Sequence, residues 1–211
     1  FPESDTVQVQ RFARILAARL MGNFVVYSPV ADDVWTSMAD TAGNALEAAS
    51  PLHLVTAHPR FHLPPTSQPA LDFHGKSYVH FAGLQSGAGW TYDPYACSSI
   101  SCRKPHSAKR ASEDAIAVTL VLYNTIPTKP VINHEVVYDG KRVLEGDPLE
   151  EFYDQPYPPR MPRSTAYLTM LSGSQGVTYG VGGVFNWGIP GNWASAGWSF
   201  TTALNQPSGT H

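Results

Sequence analysis

Short apolar runs alternate with amphipathic segments along this chain. Five runs predict buried strands, because each is short and is bounded by Gly, Pro or polar residues. They cover residues 24–27, 52–57, 78–83, 131–132 and 176–185. Apolar residues at helical spacing predict helices at 12–21, 34–49, 112–124 and 163–171. Strands that alternate with helices predict an α/β fold with a parallel sheet.

The number of strands leaves two architectures open. Five strand–helix units are three short of the eight that close a (β/α)8 barrel. The chain is therefore expected to be an open α/β sheet or one part of a longer barrel. Its 211 residues are enough for one hydrophobic core, so one domain is expected.

Polar residues follow the fourth predicted strand directly. Pro130 ends the preceding segment, 131–132 form the strand, and Asn133, His134 and Glu135 come next. In a βα barrel, side chains at the carboxyl ends of strands point into the mouth of the active site. This placement makes Glu135 a candidate catalytic carboxylate. The alternative is a strand-end glutamate that forms only a salt bridge.

A second pair of carboxylates, Asp32 and Asp33, follows the first predicted strand. At a strand end these residues are candidates for acid/base chemistry. One of them can instead cap the helix predicted at 34–49, and the local pattern favours capping for one of the two.

Composition narrows the class of ligand. Charged residues make up 15% of the chain, aromatic residues 11%, and the net charge is −3. This profile favours a neutral partner with flat faces, such as a sugar, and argues against nucleic acid. No apolar run approaches the roughly 18 residues of a membrane span, so no membrane partner is expected. No signal peptide opens the chain, but a mature secreted protein would also lack one.

Cys97 and Cys102 lie in one serine-rich segment. Their spacing predicts a small disulfide loop, and hence an oxidising compartment, with two free thiols as the alternative. Metal binding is not expected, because prolines surround the His58 and His62 pair and His106 alone does not complete a zinc site. No cofactor motif was identified.

Several segments together resemble the apiosidase-like glycoside hydrolases. The matching segments are NFVVYSP (23–29) with Asp32 and Asp33, TAHP (56–59), LQSG (84–87), KPVINHE (129–135), YDG (138–140), LSGSQGVTYG (171–180), NWG (186–188), and Trp198 with ALNQP (203–207). They occur in the order of the family and cover nearly the whole chain.

The resemblance implies a (β/α)8 TIM barrel of which this chain, residues 1–211, holds strands four to eight. The first three strands would come from a preceding segment or a second chain, and a C-terminal β-sandwich would follow. In such barrels the acid/base follows strand four and the nucleophile follows strand seven. Those positions are Asp32 or Asp33, and Glu135.

The expected function is therefore a secreted glycoside hydrolase that cleaves a plant, fungal or bacterial polysaccharide or oligosaccharide with retention of configuration. Sugar contacts are expected from side chains at the strand ends and from one stacking tryptophan, with strand-end packing as the alternative for each: His58, Gln85, Asn133, His134, Tyr138 and Trp187. The main rival is a non-catalytic carbohydrate-binding or scaffold protein. A serine hydrolase is disfavoured because no Gly-x-Ser-x-Gly elbow follows a strand.

Overall fold

Parallel strands and helices alternate along the chain. The computed structural model describes residues 5–33, 37–59, 69–86, 91–92, 103–104, 108–140, 157–181, 184 and 199–205. Its helices are α1 (Thr6–Leu20), α2 (Ser37–Ala49), α3 (Pro69–His74), α4 (Ala108–Tyr123), α5 (Arg160–Leu171) and α6 (Phe200–Leu204). Its strands are β1 (Val26–Tyr27), β2 (Ala31–Asp33), β3 (Leu54–Val55), β4 (His58–Pro59), β5 (Ala82–Gln85), β6 (Thr91–Tyr92), β7 (Arg103–Lys104), β8 (Val131–Glu135) and β9 (Gly176–Val177).

Most of the strands pair in parallel with a strand that comes later in the chain. Strand β1 pairs with β3, β2 pairs with β4, and β5, β8 and β9 form a three-stranded sheet, all of them parallel. Only the short hairpin of β6 and β7 is antiparallel among the described strands. Sequential parallel pairing with intervening helices confirms the α/β fold and is consistent with part of a βα barrel.

Side chains help to join β3 to the three-stranded sheet. The backbone N–H of His80 donates to the carbonyl of Val55 at 2.8 Å, and the N–H of Val55 donates to Nδ1 of His80 at 2.9 Å. The hydroxyl of Thr56 donates to the carbonyl of Phe81 at 2.9 Å. These bonds join β3 to the segment that leads directly into β5.

Four predicted helices are confirmed as α1, α2, α4 and α5, but three other predictions need correction. The sequence pattern predicts no helix at 69–74, where the structure has α3. The third strand begins at Ala82 rather than at residue 78, because Tyr78 and Val79 lie in a buried turn after α3. Periodicity alone does not distinguish a buried turn from a short buried strand.

The third correction concerns the strand ends. Strand β8 runs through to Glu135, so Asn133 and His134 lie within the strand rather than in a loop after it. Strand β9 ends at Val177, and among the described residues that follow it, a single parallel bridge pairs Val181 with Asp139. Of the predicted strand at 176–185, residues 182, 183 and 185 lie outside the described part of the chain, and Gly176 and Val177 are the strand residues of the described part.

Helices pack against one face of the parallel strands. Tyr27 and Val55 are buried in a cluster with residues of α1 and α2, while Leu84 and Val131 are buried against Val118 of α4. The opposite face of β1 and β3 is uncovered: the register partners Val26 and Leu54 are 53% and 51% exposed. Parallel sheets are normally buried on both faces, so this apolar surface is unusual.

Candidate active site

Glu135 lies at the carboxyl end of β8 and is 8% exposed. Its Oε2 is 3.5 Å from Nε2 of His58, which lies on β4. The Cα partner of Glu135 is Gln85, the last residue of β5. Three of the residues predicted from sequence therefore meet at one edge, as the carboxyl ends of neighbouring parallel strands allow.

Two polar atoms at this edge have no hydrogen-bond partner among the described residues. They are Oε1 of Gln85 and Nε2 of His58, and both are shielded from solvent; the 3.5 Å contact of Nε2 with Oε2 of Glu135 does not have the geometry of a hydrogen bond. Buried polar atoms are normally hydrogen-bonded, so an unsatisfied pair in one place marks a site for a ligand or water.

The imidazole of His134 forms one wall of this cluster. Its ring meets the ring of His58 edge to face, with centroids 5.5 Å apart, and that of Phe81 at 5.6 Å. Burial, and secondarily the proximity of His58, lowers the pKa of His134 to about 4. The ring of His134 is therefore neutral at neutral pH, where it adds no positive charge beside Glu135.

Asn133 is fully buried, and both the nitrogen and the oxygen of its side-chain amide are hydrogen-bonded. Its Nδ2 donates to Oγ of Ser86 at 2.7 Å, and its Oδ1 accepts the backbone N–H of Glu135 at 3.2 Å. The N–H of Ser86 donates to the carbonyl of Glu135 at 2.9 Å. These bonds tie the end of β5 to the end of β8.

A second buried acid, Asp139, follows β8. Burial raises its pKa, while a hydrogen bond from the hydroxyl of Tyr179 (3.2 Å), the backbone of Gly140 and the charge of Arg163 act in the opposite direction. Its backbone N–H donates to the carbonyl of Gly180 at 3.1 Å. Asp139 thus anchors the segment after β8 to the segment after β9.

Tyr138 lies beside that anchor, half-buried. A Cβ built on Gly180 would overlap the ring of Tyr138. The ring therefore rests against the backbone of Gly180, a contact that requires glycine at that position.

The two aspartates predicted as acid/base candidates lie on β2. Ala31 and Asp33 pair with His58 and Pro59, with a register shift between the two pairs. The backbone at Asp32 and Asp33 is thus adjacent to the strand that carries His58, although their side chains lie outside the description. Trp187, Cys97 and Cys102 also lie outside the described residues.

The described part of the chain contains neither a metal-binding cluster nor a membrane-spanning helix. No group of three or more His, Cys, Asp or Glu side chains there is arranged to hold a metal ion. Among the helices described, none has the length and hydropathy needed to span a membrane.

The sequence did not single out every residue that shapes the site. Ser86 and Asp139 occur in segments that carry the family resemblance, yet neither was assigned a role there. Phe81 and Gly83 were read only as parts of a strand. A serine directly after the polar strand-end residue Gln85 was the available signal for the link to Asn133.

Solved structures show where this fold occurs. The chain aligns with the crystal structure of a glycoside hydrolase family 5 protein from Bacteroides vulgatus, with a TM-score of 0.71 and 22% identity. A second structure, described as a glycoside hydrolase, gives the same TM-score and identity. The alignments cover 96% of this chain but only 43% and 44% of those proteins. The chain thus spans less than half the length of the structures that it matches.

No curated protein sequence matches the chain. A family model described as "Apiosidase-like, catalytic domain" matches residues 3–211. The sequence resemblance is thereby confirmed, and the match covers almost every residue. The chain belongs to the apiosidase-like catalytic domain family, which relates it to the glycoside hydrolases.

Proposed function

We propose that this chain forms the catalytic part of a retaining glycoside hydrolase, with Glu135 as nucleophile and Asp32 or Asp33 as acid/base. The observation that carries the proposal is the placement of Glu135. Its carboxylate is almost buried at a strand end and faces His58 from a neighbouring strand. The carboxyl end of a strand is also where βα barrels carry their catalytic residues.

The chemistry requires two carboxyl groups on either side of the scissile bond. Glu135, ionised, attacks the anomeric carbon and forms a covalent glycosyl–enzyme intermediate. Asp32 or Asp33 donates its proton to the leaving oxygen and then accepts a proton from the water that releases the sugar. Retention requires the two carboxyl groups to be about 5–5.5 Å apart.

Contacts to the sugar are proposed from the unsatisfied atoms of His58 and Gln85, with Tyr138 and Trp187 as aromatic walls. The same proposal assigns Asn133 and His134 to the layer behind the sugar. Asn133 is fully buried, and the ring of His134 is packed between Phe81 and His58. A plant, fungal or bacterial polysaccharide or oligosaccharide is the proposed substrate.

The uncovered face of β1 and β3 supports the assignment of this chain to strands four to eight of a barrel. Val26 and Leu54 would be covered when the first three strands, from a preceding segment or a second chain, complete the wall. Residues 1–211 would then be the C-terminal part of that barrel. We also propose that the protein is secreted and that Cys97 and Cys102 form a disulfide.

Replacing Glu135 by glutamine in the intact protein tests the function. Glu135→Gln keeps the size and hydrogen-bonding capacity of the side chain but removes its nucleophilic charge. We expect release of reducing sugar to fall by at least about a thousandfold while binding of the same oligosaccharide is retained. Glu47→Gln, on α2, is the matched control and should keep full turnover.

The alternative outcomes are distinct. Binding of oligosaccharides without turnover by the unaltered protein would support a carbohydrate-binding protein. Unchanged turnover in Glu135→Gln would remove Glu135 from the mechanism.

A further inference from the structure

The pairing of β5 with β8 is irregular at the place where Glu135 lies. Ala82, Gly83 and Leu84 pair in order with Val131, Ile132 and Asn133, but Gln85 then pairs with Glu135. His134 is thus one extra residue on β8, as in a β-bulge. Bulges occur next to active sites and redirect the side chains that follow.

The bulge determines which way Glu135 faces. In a regular strand, adjacent residues point to opposite faces of the sheet, so His134 and Glu135 would be separated. Here both approach His58: the ring of His134 at 5.5 Å between centroids, and Oε2 of Glu135 at 3.5 Å from Nε2. The extra residue therefore brings the carboxylate to the same side as both imidazoles.

A buried hydrogen-bond ring holds this irregular backbone. A bulge leaves backbone groups without their regular strand partners, and buried groups of this kind need substitutes. The side chain of Asn133 accepts the N–H of Glu135 and donates to Ser86, and the N–H of Ser86 donates to the carbonyl of Glu135. The N–H of Glu135 thus bonds to a side chain and its carbonyl to the backbone of Ser86, so both are hydrogen-bonded.

Neither of the two side chains in this hydrogen-bond ring is exposed enough to contact a sugar. Asn133 is 0% exposed and Ser86 is 6% exposed. The amide of Asn133 uses its donor on Ser86 and its acceptor on Glu135, which accounts for the need for an amide rather than a carboxylate. An aspartate would lose the donor and add a second negative charge beside Glu135.

We propose that Asn133 and Ser86 are positioning residues, which lock the strand-end bulge and so direct the Glu135 carboxylate toward the reacting carbon without touching the sugar. This inference rests on the proposed function. A misplacement of about 1 Å at a reacting group is enough to cost about a hundredfold in rate. A small change in the hydrogen-bond ring of Asn133, Ser86 and Glu135 should therefore have a measurable effect on turnover.

The test uses Ser86→Ala, which removes the acceptor for Asn133, and Ser86→Thr, which keeps a hydroxyl. We expect Ser86→Ala to lower kcat by about tenfold to a hundredfold with KM changed less than about twofold, and Ser86→Thr to recover most of the loss. The amide ¹H–¹⁵N resonance of Glu135 should move in Ser86→Ala and return toward its original position in Ser86→Thr. Asn133→Asp is the second variant, with the same expected loss of kcat.

Each other outcome overturns the proposal in a recognisable way. A raised KM with normal kcat would mean that Ser86 contacts the sugar. Normal kcat with a displaced Glu135 resonance would mean that the ring shapes the backbone but not catalysis, and the proposed function would stand. If the unaltered protein shows no turnover, the proposed function fails and the positioning role fails with it. A shift of the Glu135 amide resonance would then show only that the hydrogen-bond ring shapes the backbone.

Discussion

The backbone of Gly83 lies against the imidazole of His134. A Cβ at Gly83 would be 2.7 Å from Cε1 of His134 and would also overlap the carbonyl oxygen of Ala57. The missing side chain therefore lets β5, β8 and the segment between β3 and β4 approach closely at the base of the site. His134, in turn, supports His58, which faces Glu135.

Gly83→Ala should accordingly destabilise the fold. One colliding atom is backbone, which cannot move aside as a flexible side chain can. We expect the free energy of unfolding to fall by about 1–3 kcal/mol or more, measured by urea denaturation. Gly176→Ala is the matched strand control, because a Cβ there meets nothing within 4 Å. Equal stability of the two variants would show that the close approach at Gly83 relaxes without cost.

The buried ring of His134 should make stability depend on pH. In the unfolded chain this histidine binds a proton below about pH 6.5, whereas in the folded protein its pKa is about 4. Between these values the unfolded state holds more protons, so stability falls as the pH falls through this window. The loss should reach at most about 3 kcal/mol at pH 4.

His134→Phe isolates this contribution, because it keeps an aromatic ring against Phe81 and His58. The variant should lose less stability than the unaltered protein between pH 6.5 and 4 in urea titrations. Asp139 contributes with the opposite sign, since its raised pKa favours the folded state at low pH, but it is present in both proteins. Identical pH profiles would contradict the buried neutral state of His134.

The two aspartates of β2 can be separated by leaving-group chemistry. Loss of the acid/base should slow hydrolysis of a natural oligosaccharide by about a hundredfold or more, yet spare the first step for an aryl glycoside whose leaving group needs no proton. We expect this pattern for one of Asp32→Asn and Asp33→Asn, with the other near normal. Steady-state and burst kinetics on both substrates measure it. Normal kinetics in both variants would exclude these residues.

The sequence was sufficient for the alternation of strands and helices and for the meeting of His58, Gln85 and Glu135. Short apolar runs that end in polar residues carry that information, because parallel strands align their carboxyl ends. The bulge at His134 was not predictable, since its signal is a register between two distant segments rather than a local pattern. The buried hydrogen bonds of Asn133 were not predictable for the same reason, because its partner Ser86 follows another strand, β5.

The uncovered apolar face should affect association of this chain. Val26 and Leu54 present adjacent half-exposed apolar side chains on paired strands. We expect the 211-residue chain to self-associate in sedimentation velocity as its concentration rises, and a Val26→Lys/Leu54→Lys variant to do so less. Leu171→Lys, at an exposed helix end, is the control and should not change association. A chain that stays monomeric at all concentrations would contradict this expectation.

Covalent trapping of the glycosyl–enzyme intermediate would identify Glu135 as the nucleophile. A 2-deoxy-2-fluoro glycoside of a sugar that the intact protein hydrolyses should accumulate as a glycosyl–enzyme intermediate, which peptide mass spectrometry can locate. We expect one sugar attached to the peptide that contains Glu135, and no label in Glu135→Gln. A label on another carboxylate, or turnover with inversion and no trapped species, would contradict it.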